Sequence, residues 1–212
     1  MASIFQNILR AVRGPSIVAN GTAGLASTAG AVSPTMTVPE GAEIATIAAG
    51  CFWGVEHIYR KYFGNGKGLL DCRVGYSGGS VKNPTYREVC GANTGHAEAL
   101  QIVFDPKLVS YDTLLDFFFR MHDPTQYNQQ GPDRGPQYRS VIFYHSDEQK
   151  QTAEEVKERL QKTFYPDTPI ATQIVPIQTF WDAETYHQLY LDKNPYGYEC
   201  PTHFLRTTPM NR

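Results

Sequence analysis

Apolar residues fall into a series of short runs along this chain, and their periods alternate between strand-like and helix-like. Residues 43–49 (Glu-Ile-Ala-Thr-Ile-Ala-Ala) are nearly continuous in apolar character, as in a strand buried on both faces. Residues 53–63 switch to helical spacing, with Val55, Ile58, Tyr59 and Tyr62 on one face. A second strand is predicted over 70–76, closed by a Gly78-Gly79 loop. Residues 98–104 alternate as a third strand around Ala99, Ile102 and Phe104. An apolar helix over 111–121 stops before Pro124. A fourth strand covers 140–144, and Ser146 with Gln149 fits a capping box opening a helix to about 164. A fifth strand over about 170–177 and a helix after Asp182 follow, then a coiled tail from Asn194 to Arg212 rich in Pro, Tyr and Gly. No internal repeat interrupts this order. The succession β-α-β-β-α-β through residue 144 is that of the split βαβ, ferredoxin-like unit. The expected fold is therefore α+β: a two-layer sandwich with extra helices, a further strand and a long coiled C-terminal tail.

The first 39 residues follow a different pattern. They hold Arg10 and Arg13 and no acid, the first being Glu40. Ile4, Phe5, Ile8, Leu9 and Val12 recur at helical spacing before a Gly/Ala/Ser/Thr/Pro-rich stretch. Such a start resembles a mitochondrial transit peptide, and a disordered cytosolic extension fits it as well. Residues 1–39 are read as a flexible N-terminal extension and 40–212 as one catalytic domain. The expected location is cytoplasmic, with the mitochondrion as the alternative.

Composition narrows the function class. A net charge of −2 gives no field for nucleic acid or acidic membranes, and no apolar run has transmembrane length. The cysteines, Cys51, Cys72, Cys90 and Cys200, form no C-x-x-C pair, which leaves zinc-ribbon and thioredoxin-type motifs without support. Four in 212 residues is not a disulfide scaffold, so reactive thiols in a reducing compartment are expected. No metal or organic cofactor is called for, and a monomer is the default.

Cys51 stands where the first strand gives way to the first helix. Backbone N–H groups and the macrodipole at a helix N-terminus favour the thiolate, the nucleophilic form. Gly50 and Gly54 permit a tight turn, and Phe52 and Trp53 set two rings beside the sulfur.

The segment Gly50-Cys51-Phe52-Trp53-Gly54 resembles the signature of the type A peptide-methionine sulfoxide reductases. Collinear segments extend the likeness over about 43–206: Gly75–Gly79, Asn83–Cys90, Thr94–Glu98, Phe117–Phe119 with His122–Pro124, Gly131–Ser140, Tyr186–Tyr190 and Lys193–Tyr198. The resemblance implies reduction of the S epimer of methionine sulfoxide, free or in proteins, in repair of oxidative damage. Cys51 would be the nucleophile and Glu98 the acid at the sulfoxide oxygen. Tyr86 and Tyr138 would be the hydroxyls holding that oxygen. Phe52 and Trp53 would form the slot for the S-methyl group, with Asp133 and Tyr190 as further pocket residues. His187 and Tyr190, three apart, are read as a buried hydrogen-bonded pair on the last helix. A Cys51 sulfenic acid would be resolved by Cys200 and the disulfide reduced by thioredoxin. Cys200 departs from the common bacterial pattern by following Tyr198-Glu199, and Cys200-Pro-Thr-His203 looks most like the fungal members. Cys72 and Cys90 are expected to be structurally buried.

Three other classes stay open. A Cys–His hydrolase or transferase would pair Cys51 with His96 or His187. A zinc deaminase would use His96-Ala-Glu98, although its P-C-x-x-C partner is missing. A non-catalytic binder of oxidised peptides would need no reactive thiol.

Overall fold

A computed structural model describes residues 30–210. The transit-peptide reading of the chain start falls largely outside them. Strands β1 (Glu43–Ala49), β2 (Leu69–Ser77), β3 (Ala97–Phe104), β4 (Gln129–Gln130), β5 (Asp133–Arg134), β6 (Ser140–Tyr144), β7 (Gln173–Pro176) and β8 (Trp181–Asp182) alternate with helices α1 (Phe52–Phe63), α2 (Tyr86–Cys90), α3 (Tyr111–Met121), α4 (Asp147–Thr163) and α5 (Tyr190–Lys193). Six strands form one sheet in the order β7-β6-β1-β3-β2-β8, and β4 pairs with β5 in a separate hairpin. The inner four, β6-β1-β3-β2, are all antiparallel and have the split βαβ order expected. β7 adds parallel to β6, and β8 adds antiparallel to β2.

The apolar runs of β1 and β3 are continuous because both faces of these central strands are covered; all eight residues of β3 are buried. On one face lie the helices. Val55, Ile58 and Tyr59 of α1, Leu114, Leu115 and Phe118 of α3, and Ala153, Val156 and Leu160 of α4 pack on Ile47, Val74, Leu100, Ile102 and Ile142. The opposite face is built from small residues. Ala48, Ala97, Ala99 and Val141 let coil lie close, and Ala31, Ile177 and Phe180 cover them. Gln101, buried on this face, donates to the Ala31 carbonyl at 2.9 Å and accepts the Ser33 N–H at 2.7 Å. Ala31 and Ser33, from the segment read as an extension, thus pack on the sheet ahead of Glu40.

Two further expectations need correction. The helix after Asp182 shrinks to the single turn of α5, entered through Leu189 at φ +56°. Ser146 caps α4 by accepting the Gln149 N–H, but the Gln149 side chain accepts from His145 instead of closing the box on Ser146. A full capping box forms instead at Thr85 and Glu88, opening α2. Among the described residues no helix is long and apolar enough to cross a membrane.

Candidate active site

Topology brings the site residues to one end of the sheet. β1 ends at Ala49, and its antiparallel neighbours β3 and β6 begin at that same end, Ala49 pairing with Ser140. Cys51 follows β1, Glu98 sits at the start of β3, and Tyr138 closes the turn just ahead of β6. β2 ends there too, and the loop after it delivers Tyr86 as the first residue of α2.

Cys51 is the residue before α1, and only 6% of it is exposed. Gly50 holds φ +89°, and a Cβ there would run into Gln130. Phe52 is fully buried, which stabilises this corner by about 1.5–3 kcal/mol. Its backbone N–H donates to Glu98 Oε2 at 3.0 Å, tying the acid to the residue next to the thiol. Glu98 is 1% exposed, and burial raises its pKa to about 8 against the opposing pull of the Phe52 N–H. It is therefore protonated at neutral pH.

The thiolate expected at rest is not what the surroundings favour. Burial pushes the Cys51 thiol well up, Glu98 adds to it, and the Trp53 and Gly54 N–H groups only partly offset them. In a dry corner beside carboxyl groups, desolvation outweighs the helix terminus.

The rings of Phe52, Trp53, Tyr86, His187 and Tyr190 line the same corner. The Phe52 ring lies 6.5 Å from Tyr86 in a stacked arrangement and 5.2 Å from His187. Trp53, half-buried, stacks on Tyr190 with centroids 3.7 Å apart. The Trp53 indole N–H donates to His187 Nδ1 at 3.0 Å. His187 and Tyr190 therefore do not pair with each other on a helix; each holds Trp53. Tyr86 is fixed from behind, where Glu184 accepts both its N–H at 2.9 Å and the Tyr76 hydroxyl at 2.8 Å. Burial, and then Glu98, push both Tyr86 and Tyr138 above the ordinary phenol range, so both remain hydroxyl donors. The Tyr86 hydroxyl also bonds to the Cys90 sulfur. Cys90 is exposed at the end of α2, not buried as expected, whereas Cys72 is fully buried in β2.

The C-terminal strap completes the site. Cys200 is 1% exposed; its thiol donates to the Gln130 carbonyl at 3.7 Å and lies 3.2 Å from Thr202 Oγ1. The Tyr198 hydroxyl donates to Asp133 Oδ1 at 2.8 Å. His203 Nε2–H donates to the Ala49 carbonyl at 2.7 Å, and its ring fills the space that a Cβ on Gly54 would need. All nine residues singled out from the sequence thus converge here. Tyr198 and His203 were not singled out, although both lie in quoted segments; their partners are set by how the strap docks, which has no period to read. Glu184 gave no sequence signal.

His96, a candidate dyad partner for a hydrolase, uses both ring nitrogens elsewhere: Nδ1 accepts the Gly79 N–H and Nε2–H donates to the Val81 carbonyl. Among the described residues no group of three or more His, Cys, Asp or Glu is arranged to hold a metal ion.

Comparison with known proteins identifies the family. Residues 43–210 match the family model for peptide methionine sulfoxide reductase. A probable peptide methionine sulfoxide reductase of Schizosaccharomyces pombe is 56% identical over 164 residues, covering 77% of this chain and 96% of that protein. The crystal structure of Mxr1 from Saccharomyces cerevisiae in reduced form superposes with a TM-score of 0.78 at 48% identity, over 83% of this chain and 99% of that one. Mxr1 in complex with Trx2 gives a TM-score of 0.57 at 34% identity, over 83% and 99%. The chain belongs to the peptide methionine sulfoxide reductase family and, like its relatives, is an oxidoreductase.

Proposed function

We propose that this enzyme reduces the S epimer of methionine sulfoxide, free or in proteins, through a Cys51 sulfenic acid. The observation that carries the reading is the pairing of a protonated, buried Glu98 with the Cys51 segment through the Phe52 N–H. A sulfoxide oxygen accepts hydrogen bonds well and leaves poorly, so attack on its sulfur needs a proton supplied to the oxygen. Glu98 gives that proton as Cys51 Sγ attacks, while the Tyr86 and Tyr138 hydroxyls hold the oxygen. The thiol proton returns to Glu98. Attack forms a bond between the Cys51 and substrate sulfurs; as this adduct collapses, that S–S bond and the substrate S–O bond break, the protonated oxygen bonds to Cys51 Sγ, and methionine leaves with two electrons drawn from the Cys51 sulfur. A neutral thiol at rest suits this exchange, because its proton replaces the one that Glu98 gives to the oxygen and no outside proton is needed.

Phe52 and Trp53 form the slot for the S-methyl group. Contacts of sulfur with aromatic rings are favourable by about 0.3–1.5 kcal/mol each. Tyr190 backs Trp53, and Asp133 stands at the strap side of the pocket. Cys200 then attacks the sulfenic acid, giving a Cys51–Cys200 disulfide that thioredoxin reduces; the complex of the relative Mxr1 with Trx2 supports such a partner. The role is repair of oxidised proteins by a cytoplasmic monomer, or a mitochondrial one if the chain start acts as a transit peptide. A coupled NADPH–thioredoxin assay on the separated epimers tests this: NADPH should be consumed with the S epimer alone, and turnover of the R epimer would refute it.

A further inference from the structure

One buried acceptor is not used in the reaction just described. Asp133 binds the Tyr198 hydroxyl through Oδ1, while its Oδ2 is buried with no hydrogen-bond partner. A buried acceptor left unsatisfied is costly to the fold, and a step that brings it a proton relieves that cost. Cys200 is the thiol nearest to hand. It lies two residues beyond Tyr198, and it donates to the carbonyl of Gln130, which is the cross-strand partner of Asp133 in the β4–β5 hairpin. One two-strand hairpin therefore grips the strap twice, at its tyrosine and at its thiol. In the resting enzyme the Cys200 thiol faces the Gln130 carbonyl and the Thr202 hydroxyl, neither of which can take its proton as a base. Asp133, whose presence with burial raises the thiol, can.

We propose that Asp133 is the base of the resolving step, accepting the Cys200 thiol proton on Oδ2 as Cys200 Sγ attacks the Cys51 sulfenic acid. This rests on the Cys51–Cys200 reading above. The Cys200 S–H and Cys51 S–O bonds break and the S–S bond forms. The proton passes from Asp133 to the departing hydroxyl, which leaves as water. The Cys51 sulfur is reduced and the Cys200 sulfur oxidised, so no outside oxidant or reductant enters. Tyr198 holds Asp133 by the other oxygen and moves with the same strap as Cys200. The sequence reading assigned Asp133 to the substrate pocket, and a base acting on a protein thiol is a separate task.

The test leaves methionine sulfoxide out. One equivalent of hydrogen peroxide converts the reduced enzyme to the Cys51 sulfenic acid, and disulfide formation is followed by rapid quenching and mass spectrometry. Asp133→Asn should slow closure by roughly 10²–10⁴-fold. Its closure rate should climb with pH as free thiolate replaces the base, against a flatter wild-type profile. Asp133→Glu should recover part of the rate. Closure of Asp133→Asn at the wild-type rate overturns the proposal. So does slow closure with an unchanged pH profile, the mark of a displaced strap. Cys200→Ser, treated alike, should stop at the sulfenic acid; a disulfide in that variant refutes the Cys51–Cys200 pairing itself, and the base role with it.

Discussion

The two cysteines assigned to the cycle are almost equally buried, yet they are held in opposite ways. Cys51 is clamped by secondary structure: it follows a central strand paired on both sides and precedes a helix whose first residue is a fully buried phenylalanine. Cys200 lies in coil. Around the thiol its segment is held by side-chain contacts, from Tyr198 to Asp133, from the thiol to Gln130, and from His203 to Ala49, with backbone bonds to the end of α3 only from Phe204 onward. A nucleophile that must meet a substrate in fixed geometry gains from rigidity. A thiol that must travel to a sulfenic acid and then be offered to another protein gains from bonds that can be undone singly.

The largest effect should follow from breaking the rigid side. Cys51→Ser should abolish reduction of methionine sulfoxide, and measurable single-turnover formation of methionine in that variant would remove Cys51 from the chemistry. Glu98→Gln comes next. It keeps the shape and an acceptor for the Phe52 N–H but loses the proton, so the chemical step should slow by roughly 10²–10⁴-fold with substrate binding retained. In wild type that step should weaken above pH 8, as Glu98 loses its proton, and the variant should lack this decline. Stability should move the other way. The folded pKa of Glu98 lies above its unfolded value of about 4.5, so the folded state binds the extra proton between pH 4.5 and 8. Stability from this group is therefore greatest below pH 4.5 and falls as pH rises toward 8. Glu98→Gln should be the more stable protein at pH 8, by on the order of a few kcal/mol, as thermal melts across that range can check.

Gly54→Ala probes the seam between the two regions. Ala in a helix is ordinarily better than Gly by about 0.5–1 kcal/mol. Here its methyl group meets the His203 ring, so the variant should instead lose about 1–3 kcal/mol, with His203→Ala in the same chain recovering part of the loss. An additive double-mutant cycle would separate the strap from the nucleophile segment. The smallest effect is expected for Trp53→Phe, which loses the bond to His187 but keeps a ring against Tyr190. KM should rise severalfold with kcat nearly unchanged; a fall in kcat alone would place Trp53 outside the methyl slot.

This contrast also marks what the sequence could reveal. β1, β3, α3 and α4 were legible because burial imposes a period or a continuous apolar run over many residues. β4, β5 and β8 were not, since two residues carry no period. The helix expected after Asp182 was overextended because apolar spacing at 183–191 is compatible with turns that pack as well. Residues 30–33 read as linker, but the small side chain of Ala31 lets it lie on the alanine-rich face and Ser33 bonds to Gln101 there. At the site, Cys51 announced itself by position. Glu98, Tyr86 and Tyr138 came through family resemblance, since a lone acid or tyrosine in a strand or loop gives no sign of convergence. The grip of Asp133 on Tyr198 depends on where the strap docks, and only the folded chain reveals it.

The central claim, a fixed nucleophile resolved by a thiol on a releasable strap, is tested most directly by counting thiols after one turnover. Fully reduced wild type and Cys200→Ser would each be mixed with excess S epimer in the absence of thioredoxin, and methionine and free thiols measured together. One methionine per enzyme is expected from both, with two thiols lost in wild type and one in Cys200→Ser. Loss of two thiols from Cys200→Ser would contradict the account, because another cysteine would then be closing the disulfide.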